Sequence, residues 1–140
     1  MQSAKKKILF ICTHNSARSQ IAEGLINEFH NDHYEAYSGG TYPTTVNPYV
    51  FTAMNEIGIN ISRYYSKSIE EFKGQEFDYV VTLCDNARET CPYFPGGKNY
   101  LHQNFPDPSA LTGDEEAILK GIREIRDEIK EWVDKTFSNE

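Results

Sequence analysis

The stretch ILFICTHNSARSQIAEG, from Ile8 to Gly24, decides the fold prediction because its character changes twice along its length. The run Lys6–Ile11 is almost continuously apolar once past its lysines, which is typical of a buried strand. From residue 18 to residue 30 the apolar side chains recur at helical spacing. Cys12 lies where the strand ends and Arg18 lies where the helix begins. The segment therefore predicts a strand, a short polar loop and a helix.

The rest of the chain alternates between strand and helix patterns in the same way. Further strands are predicted at Tyr34–Ser38, Phe77–Leu83 and Asn99–His102, and helices from Asn47-Pro48, briefly near residues 67–73, and behind the capping box Thr112–Glu115. Strands that alternate with helices favour a parallel sheet. We therefore predict an α/β fold of three layers, with helices on both faces of a parallel sheet. The chain of 140 residues fits one domain, residues 1–140.

Composition and charge restrict the function classes. The formal net charge is -7, which argues against nucleic acid or an anionic membrane as the main partner. A small anion remains compatible, because backbone N–H groups and one arginine outweigh the global charge locally. No apolar run reaches the ~18 residues of a membrane helix or the ~7–15 of a signal peptide. We therefore expect a cytoplasmic protein with reduced thiols, and the odd number of cysteines, 3, argues against a purely structural disulfide framework.

The loop from Cys12 to Arg18 has the composition of an oxyanion site. A short turn between a strand end and a helix N-terminus directs successive N–H groups and the helix dipole inward. The Arg18 guanidinium would close this cradle with two parallel hydrogen bonds. The same positive field favours the thiolate of Cys12, to which Ser19 would donate a hydrogen bond. Asn15 tolerates the positive φ that such a loop requires. The alternative is a small core cysteine and an unrelated surface arginine.

Two more cysteines follow the second strongly buried strand. Cys84 and Cys91 are separated by the polar segment DNARET. Their spacing is unlike a zinc knuckle, and no histidine pair follows, so we expect no metal site. Two unreactive, half-buried thiols are the plainer alternative. Such a polar segment would also suit a switch between a short helix and a looped-out form.

The residues of this loop resemble a known family. CTHNSARSQIAEG is similar to the phosphate-binding loop of low-molecular-weight protein tyrosine phosphatases and of their relatives, the thioredoxin-coupled arsenate reductases. The resemblance extends to YSGG, NPYVFTAMNEIGINIS, FDYVVTLC and FPDPS. It implies a four-stranded parallel α/β fold. Cys84 and Cys91 match the reductases, whereas the phosphatases do not need these thiols.

The resemblance implies a mechanism with three thiols and no cofactor. Arsenate, or phosphate or sulfate in its place, would bind in the loop formed by Thr13, His14, Asn15, Ser16, Ala17 and Arg18. Cys12 would attack arsenic, and Asp107 in FPDPS would protonate the departing oxygen. Cys84 would then attack Cys12 and release arsenite, and Cys91 would attack Cys84. A thioredoxin-like partner would reduce the resulting disulfide. The alternative for Asp107 is a turn aspartate between two prolines.

One position departs from the family pattern. Some of these reductases bind potassium through an asparagine, a glutamate, a serine and an aspartate, and Asn15, Glu23 and Ser38 match the first three. Lys67 stands where the aspartate would fall. Its ammonium would pair with Glu23 in place of the cation, so we predict no potassium requirement.

Three functions remain in competition at this point. The first is a thioredoxin-coupled arsenate reductase, for which we expect a monomer. The second is a low-molecular-weight tyrosine phosphatase that uses only Cys12, Arg18 and Asp107. The third is a non-catalytic oxyanion-binding or redox-sensing module. The pair Cys84 and Cys91 separates the first two, and Asp107 argues against the third, because a binding module has no use for a general acid.

Overall fold

The computed structural model describes residues 5–84 and 93–138. Its elements are β1 (Lys6–Cys12), α1 (Arg18–Phe29), β2 (Tyr34–Gly40), α2 (Pro48–Asn55), β3 (Phe77–Thr82), β4 (Gly97–His102) and α3 (Glu115–Thr136), with 3-10 helices at Ile69–Phe72 and Pro108–Ala110. All four predicted strands are present, and β1, β2 and β4 are slightly longer than predicted. The brief helix expected near residues 67–73 is the first 3-10 helix.

The sheet is parallel throughout, with the strand order β2-β1-β3-β4. β1 therefore lies in the interior of the sheet, paired with β2 on one side and β3 on the other. This position explains why its sequence is apolar on both faces: Ile8, Leu9, Phe10 and Ile11 are all fully buried. The four-stranded parallel sheet implied by the sequence is confirmed.

The two faces of the sheet are covered differently. Ile8 and Phe10 join the larger apolar cluster, to which α1, α2 and α3 contribute their buried side chains. Leu9 and Ile11 join a smaller cluster that contains Phe72 of the first 3-10 helix and Phe94. Within residues 5–84 and 93–138, the three α-helices thus pack on one face and a single 3-10 turn covers the other.

The start of α3 corrects one detail of the prediction. The helix is capped by the Asp114 side chain, which accepts a hydrogen bond from the backbone N–H of Ala117 at 2.9 Å. The capping box had placed this role on Thr112. Gly113 has a φ of +114°, so the chain turns sharply just before the helix and leaves Asp114 at the capping position.

The carboxyl ends of the strands converge on one edge of the sheet. The N–H of Leu83 donates to the Ile11 carbonyl at 2.9 Å, and the N–H of Gln103 donates to the Thr82 carbonyl at 3.0 Å. These bonds extend the ladder beyond β3 and β4. They bring the loop after β1, the residues after β3 and the segment after β4 together, which is where ligands bind in open parallel sheets.

Candidate active site

The loop between β1 and α1 is fixed from outside by the segment that follows β2. The carbonyl oxygens of Thr13, His14 and Ser16 accept hydrogen bonds from backbone N–H groups of the 42–47 segment, at 2.9, 3.2 and 2.8 Å. Gly40 lies directly against the loop: a Cβ at this position would be 2.5 Å from the Thr13 carbonyl oxygen. Only glycine allows β2 to approach this closely.

Asn15 is the centre of the loop. It is fully buried, and its φ of +51° confirms the predicted left-handed conformation. Its amide nitrogen donates to the hydroxyls of Ser19 (2.7 Å) and Ser38 (2.9 Å). Its side-chain oxygen accepts from the backbone N–H of Lys67 (2.8 Å) and from the Gln20 amide (2.9 Å). Both donors and both lone pairs of the side chain are therefore used, which fixes its orientation.

Cys12 lies at the base of the loop as a free, buried thiol. Its sulfur is 2.9 Å from the Ser19 hydroxyl oxygen. Because Asn15 donates to that same oxygen, the Ser19 proton is available for the Cys12 sulfur. The Ser19 hydroxyl is therefore positioned to donate to the Cys12 sulfur.

The N-terminus of α1 faces the same loop. Its N-cap residue, Ala17, supplies no side-chain hydrogen bond, and no acidic side chain lies in the first turn. Neither the N-cap nor the first turn of α1 therefore compensates the positive end of the helix dipole, which suits the binding of an anion there. Thr13, His14 and Ser16 are partly exposed, whereas Asn15 and Ala17 are buried.

Arg18 joins three strand ends. Its guanidinium is almost fully buried and donates from Nη1 to the carbonyl oxygens of Leu83 (3.4 Å) and Phe105 (3.3 Å). Leu83 follows β3 and Phe105 follows β4. The arginine is therefore an interior group held by the backbone, and the plainer alternative of an unrelated surface arginine is wrong.

Asp107 lies beside this arginine. One of its carboxylate oxygens, Oδ1, is 3.9 Å from Arg18 Nη2. The same oxygen accepts from the N–H (2.9 Å) and hydroxyl (2.8 Å) of Ser109, so Asp107 also caps the 3-10 helix Pro108–Ala110. The turn role and the position at the site are thus both real, and the turn holds the carboxyl next to Arg18.

Of the two remaining cysteines, the structure describes only Cys84. Cys84 is fully buried and disulfide-bonded. It lies one residue beyond Leu83, whose N–H pairs with Ile11 directly before Cys12. Cys91 lies outside the described residues. Cys12 is thus the last residue of β1, and Cys84 lies two residues beyond the neighbouring strand β3.

Glu23, Ser38 and Lys67 form a polar cluster behind the loop. Ser38 accepts from Asn15 and donates to Glu23 Oε1, and Lys67 Nζ lies 3.9 Å from the same carboxylate oxygen. Burial raises the pKa of Glu23, and this is only partly opposed by the Lys67 charge and the Ser38 hydrogen bond. The predicted pairing of Lys67 with Glu23 is confirmed. A continuous chain of contacts now runs from Lys67 to Cys12.

Sequence reasoning missed two residues of this site. Gln20 is fully buried, and its amide nitrogen lies within 3.0 Å of Asn15 O, Asn15 Oδ1 and Tyr65 O, so it fastens the 65–67 segment to the loop. Ser66 donates to the same Asn15 carbonyl at 2.8 Å. The burial of Gln20 could have been predicted, because it directly precedes the buried helix positions Ile21 and Ala22. The local sequence around Ser66 gives no such indication.

Comparison with known proteins agrees with this geometry. The model of the family described as low molecular weight phosphotyrosine protein phosphatase matches residues 7–139. The chain belongs to that family. Its match includes the loop after β1, Cys84 and Asp107, and it extends over the whole described fold.

Relatives within the family are named for a redox reaction. An arsenate reductase of Halalkalibacterium halodurans is 42% identical over 134 residues, which are 96% of each chain. A solved arsenate reductase in the phosphate binding state has a TM-score of 0.80 at 30% identity and covers 94% of this chain and 95% of that chain. A thioredoxin-dependent arsenate reductase of Corynebacterium glutamicum has a TM-score of 0.65 at 31% identity and covers 99% of this chain and 66% of its own.

The described residues form neither a group of metal ligands nor a membrane-spanning helix. Among residues 5–84 and 93–138, no group of three or more histidine, cysteine, aspartate or glutamate side chains is gathered as metal ligands would be. In the same part of the chain, every helix is too short or too polar to cross a bilayer.

Proposed function

We propose that this protein reduces arsenate to arsenite through Cys12, Cys84 and Cys91, and that a thioredoxin-like dithiol recycles it. The observation on which the proposal rests is the buried Cys12 in an oxyanion loop, with a second cysteine directly after the neighbouring strand. The names of the relatives support the same reaction.

Oxyanion binding follows from the loop and Arg18. Arsenate is a tetrahedral oxyanion, and the uncapped N-terminus of α1 offers it backbone N–H groups. Arg18 Nη1 is committed to the carbonyls of Leu83 and Phe105, which orients the guanidinium before any ligand arrives. Binding then costs little side-chain entropy.

The first chemical step forms a bond between sulfur and arsenic. The Cys12 thiolate, stabilised by Ser19, attacks arsenic, and one oxygen leaves as water after protonation. Asp107 is the proton donor in this proposal, because its carboxyl lies beside Arg18 and therefore beside the bound oxyanion.

The second step transfers the electrons. The Cys84 thiolate attacks the Cys12 sulfur, the sulfur–arsenic bond breaks, and its electron pair remains on arsenic, which leaves as arsenite. Cys91 then attacks Cys84 and releases the Cys12 thiolate. Cys12 is a free thiol and Cys84 is disulfide-bonded in the structure. These are the oxidation states that we expect after this last exchange.

The phosphatase alternative uses less of the molecule. It requires Cys12, Arg18 and Asp107 but gives Cys84 and Cys91 no part in the reaction. Relatives that are 40–42% identical over 93–96% of this chain are named arsenate reductases, which favours the redox reaction.

Single Cys→Ser variants test the proposal. With thioredoxin, its reductase and NADPH present, Cys12→Ser should lose arsenate turnover and any hydrolysis of an aryl phosphate. Cys84→Ser and Cys91→Ser should lose arsenate turnover by at least about a thousandfold, the scale of removing an essential nucleophile, yet keep aryl phosphate hydrolysis. That second assay is the internal control for folding of each variant. Normal arsenate turnover by Cys84→Ser or Cys91→Ser would show that the three-thiol relay is wrong.

A further inference from the structure

An exposed aromatic stack lies close in sequence to the last cysteine of the proposed relay. The rings of Tyr93 and Tyr100 are stacked, with centroids 5.5 Å apart and planes inclined by 29°. Tyr93 is 75% exposed and Tyr100 is 46% exposed. We call these two residues, together with Phe94 and Pro95, the aromatic platform.

Hydrogen bonds hold Tyr100 in the platform although its ring is exposed. The Tyr100 hydroxyl donates to the Phe94 carbonyl and accepts from the Gly97 N–H, both at 3.0 Å. These bonds fix the Tyr100 ring on β4, and Tyr93 stacks on it. Beside the stack is a pocket of about 100 Å³, lined by Ile69, Gly74, Phe94 and Pro95. A rigid aromatic surface next to a small apolar pocket is the kind of feature that anchors a protein partner.

The other exposed aromatic residues in the described chain have different surroundings. Tyr42 and Tyr65 flank the loop after β1 through their backbone contacts with Thr13 and Gln20. Phe29 lies at the end of α1 with Lys130 over its ring at 5.5 Å. Within the described part of the chain, the ring contact and the hydrogen bonds of Tyr93 and Tyr100 involve no residue of the loop after β1, so the role of the platform differs from oxyanion binding.

The chain itself restricts what can cover the platform. Tyr93 is two residues from Cys91, so their Cα atoms are at most about 7 Å apart whatever the conformation. Cys91 is the last thiol of the proposed relay, and Cys84 is fully buried, so we assign the attack of the incoming thiolate to Cys91. Even a small transient interface covers roughly 500–600 Å² of each partner and so extends roughly 13 Å from its centre. An interface centred on Cys91 would therefore extend past the Cα atom of Tyr93.

We propose that the aromatic platform is the docking surface for the dithiol protein of the thioredoxin class that reduces the enzyme. The inference rests on the proposed function, because only a redox cycle requires such a partner. The partner must present an apolar surface beside its nucleophilic cysteine. Two opposite charges, Glu70 and Lys73, line the same pocket and lie 4.0 Å apart, so the pocket carries no net charge of one sign from this pair.

The exchange at this surface balances as a transfer of two electrons. The partner's thiolate attacks the Cys91 sulfur, and the bond to Cys84 breaks with Cys84 leaving as a thiolate. The partner's second thiolate then attacks the mixed disulfide and releases Cys91. The partner ends as a disulfide, and Cys84 and Cys91 end as thiols.

The test compares two reductants on the same variants. For Tyr93→Ala, the ratio of the thioredoxin-driven rate to the dithiothreitol-driven rate should fall about tenfold, through a higher KM for thioredoxin, as expected for an interface anchor. Tyr93→Phe keeps the ring and should restore the ratio. Phe29→Ala removes an exposed aromatic residue elsewhere, one as exposed (46%) as Tyr100, and should leave the ratio at the wild-type value.

Three results would overturn the docking proposal. The first is a ratio for Tyr93→Ala within twofold of wild type. The second is an equal loss in Phe29→Ala. The third is a change from dimer to monomer in sedimentation when Tyr93 is replaced, which would assign the platform to a second copy of the chain. Failure of the proposed function is distinct, since the wild-type protein would then show no arsenate turnover with either reductant.

Discussion

Asn15 shows how one residue organises the site. Its positive φ directs the loop, and its amide connects Ser19 on α1, Ser38 on β2 and the backbone of Lys67. The residue type and its place in the loop indicated the backbone conformation from sequence. The three partners are 4, 23 and 52 residues away, so only the fold identifies them.

Lys67 provides a prediction at the scale of one side chain. Because its ammonium lies 3.9 Å from Glu23 Oε1, we expect equal arsenate turnover in sodium and potassium buffers of the same ionic strength. In Lys67→Ala the Glu23 carboxylate loses this positive neighbour, and kcat/KM for arsenate should fall several-fold in sodium and recover partly in potassium.

The matched control for Lys67 is Lys73, a lysine six residues further along the chain that also pairs with a glutamate. Lys73 pairs with Glu70 on the surface, and both side chains are largely exposed. Lys73→Ala should therefore behave like wild type in both buffers. A clear activation of the wild-type protein by potassium would refute the prediction.

At the scale of elements, α2 and α3 are joined by a cluster of charges. Glu56, directly after α2, accepts hydrogen bonds from Arg123 at 2.6 Å and from Arg126 at 2.9 Å. Arg126 also donates to the Ala53 carbonyl at 2.7 Å. The hydrogen bonds from Arg123, with a smaller effect from Arg126, lower the pKa of Glu56 from 4.5 to about 2.

This cluster predicts a defined pH dependence of stability. The folded pKa of Glu56 lies below the unfolded value, so its contribution to the free energy of unfolding is complete above pH 4.5 and is lost as the pH falls towards about 2. Glu56→Gln should therefore be less stable than wild type at pH 7, and the difference should be clearly smaller at pH 3. Urea unfolding at the two pH values measures both differences.

An exposed carboxyl on α3, the helix that carries Arg123 and Arg126, serves as the control for Glu56. Glu124 lies on the exposed side of α3. Glu124→Gln should leave the free energy of unfolding within about 0.5 kcal/mol of wild type at either pH. A Glu56→Gln difference that stays constant from pH 7 to pH 3 would show that the arginine contacts do not contribute through the ionised carboxylate.

The elements themselves were largely predictable. α3 has an apolar stripe at helical spacing in the sequence, and its members Ile122, Ile125, Ile129 and Val133 are buried. β1 and β3 were recognised as apolar runs because strands inside a parallel sheet are covered on both faces. The N-cap of α3 was misplaced, because several polar residues there satisfy the capping preference and only the backbone turn at Gly113 selects Asp114.

At the scale of the whole molecule, the oxyanion site links the ends of three strands. Arg18 contacts Leu83 after β3 and Phe105 after β4, while its own helix follows β1. An anion bound in the loop therefore favours the folded state over the unfolded chain, which has no such site.

Phosphate should stabilise the fold by an amount that mass action fixes. At a phosphate concentration about 100 times its Kd, the free energy of unfolding should rise by about 2.7 kcal/mol relative to chloride at equal ionic strength. Arg18→Lys keeps the charge but loses the planar fork, so its stabilisation by the same phosphate concentration should be much smaller. Equal stabilisation of the variant, compared with its own chloride baseline, would show that phosphate acts elsewhere.

The strands, the helices and the polar loop can be predicted from the sequence, because each is encoded by contiguous residues. The apolar run before Cys12, the polar loop, the helix pattern after Arg18 and the second strand before Cys84 are each legible over a few residues, since burial and helical or strand periodicity are local patterns. Together they predicted a parallel α/β fold with an oxyanion loop at the carboxyl edge of its sheet.

The contacts between residues that are far apart in sequence are visible only in the folded structure. The strand order places β1 between β2 and β3, with β4 on the far side of β3. This order brings Gly40 of β2 against Thr13 and the carbonyls of Leu83 and Phe105 to Arg18. The Tyr93–Tyr100 stack likewise joins β4 to the segment before it. These contacts join residues up to 87 positions apart. No local pattern specifies them, because they depend on how the strands assemble and not on the strands themselves.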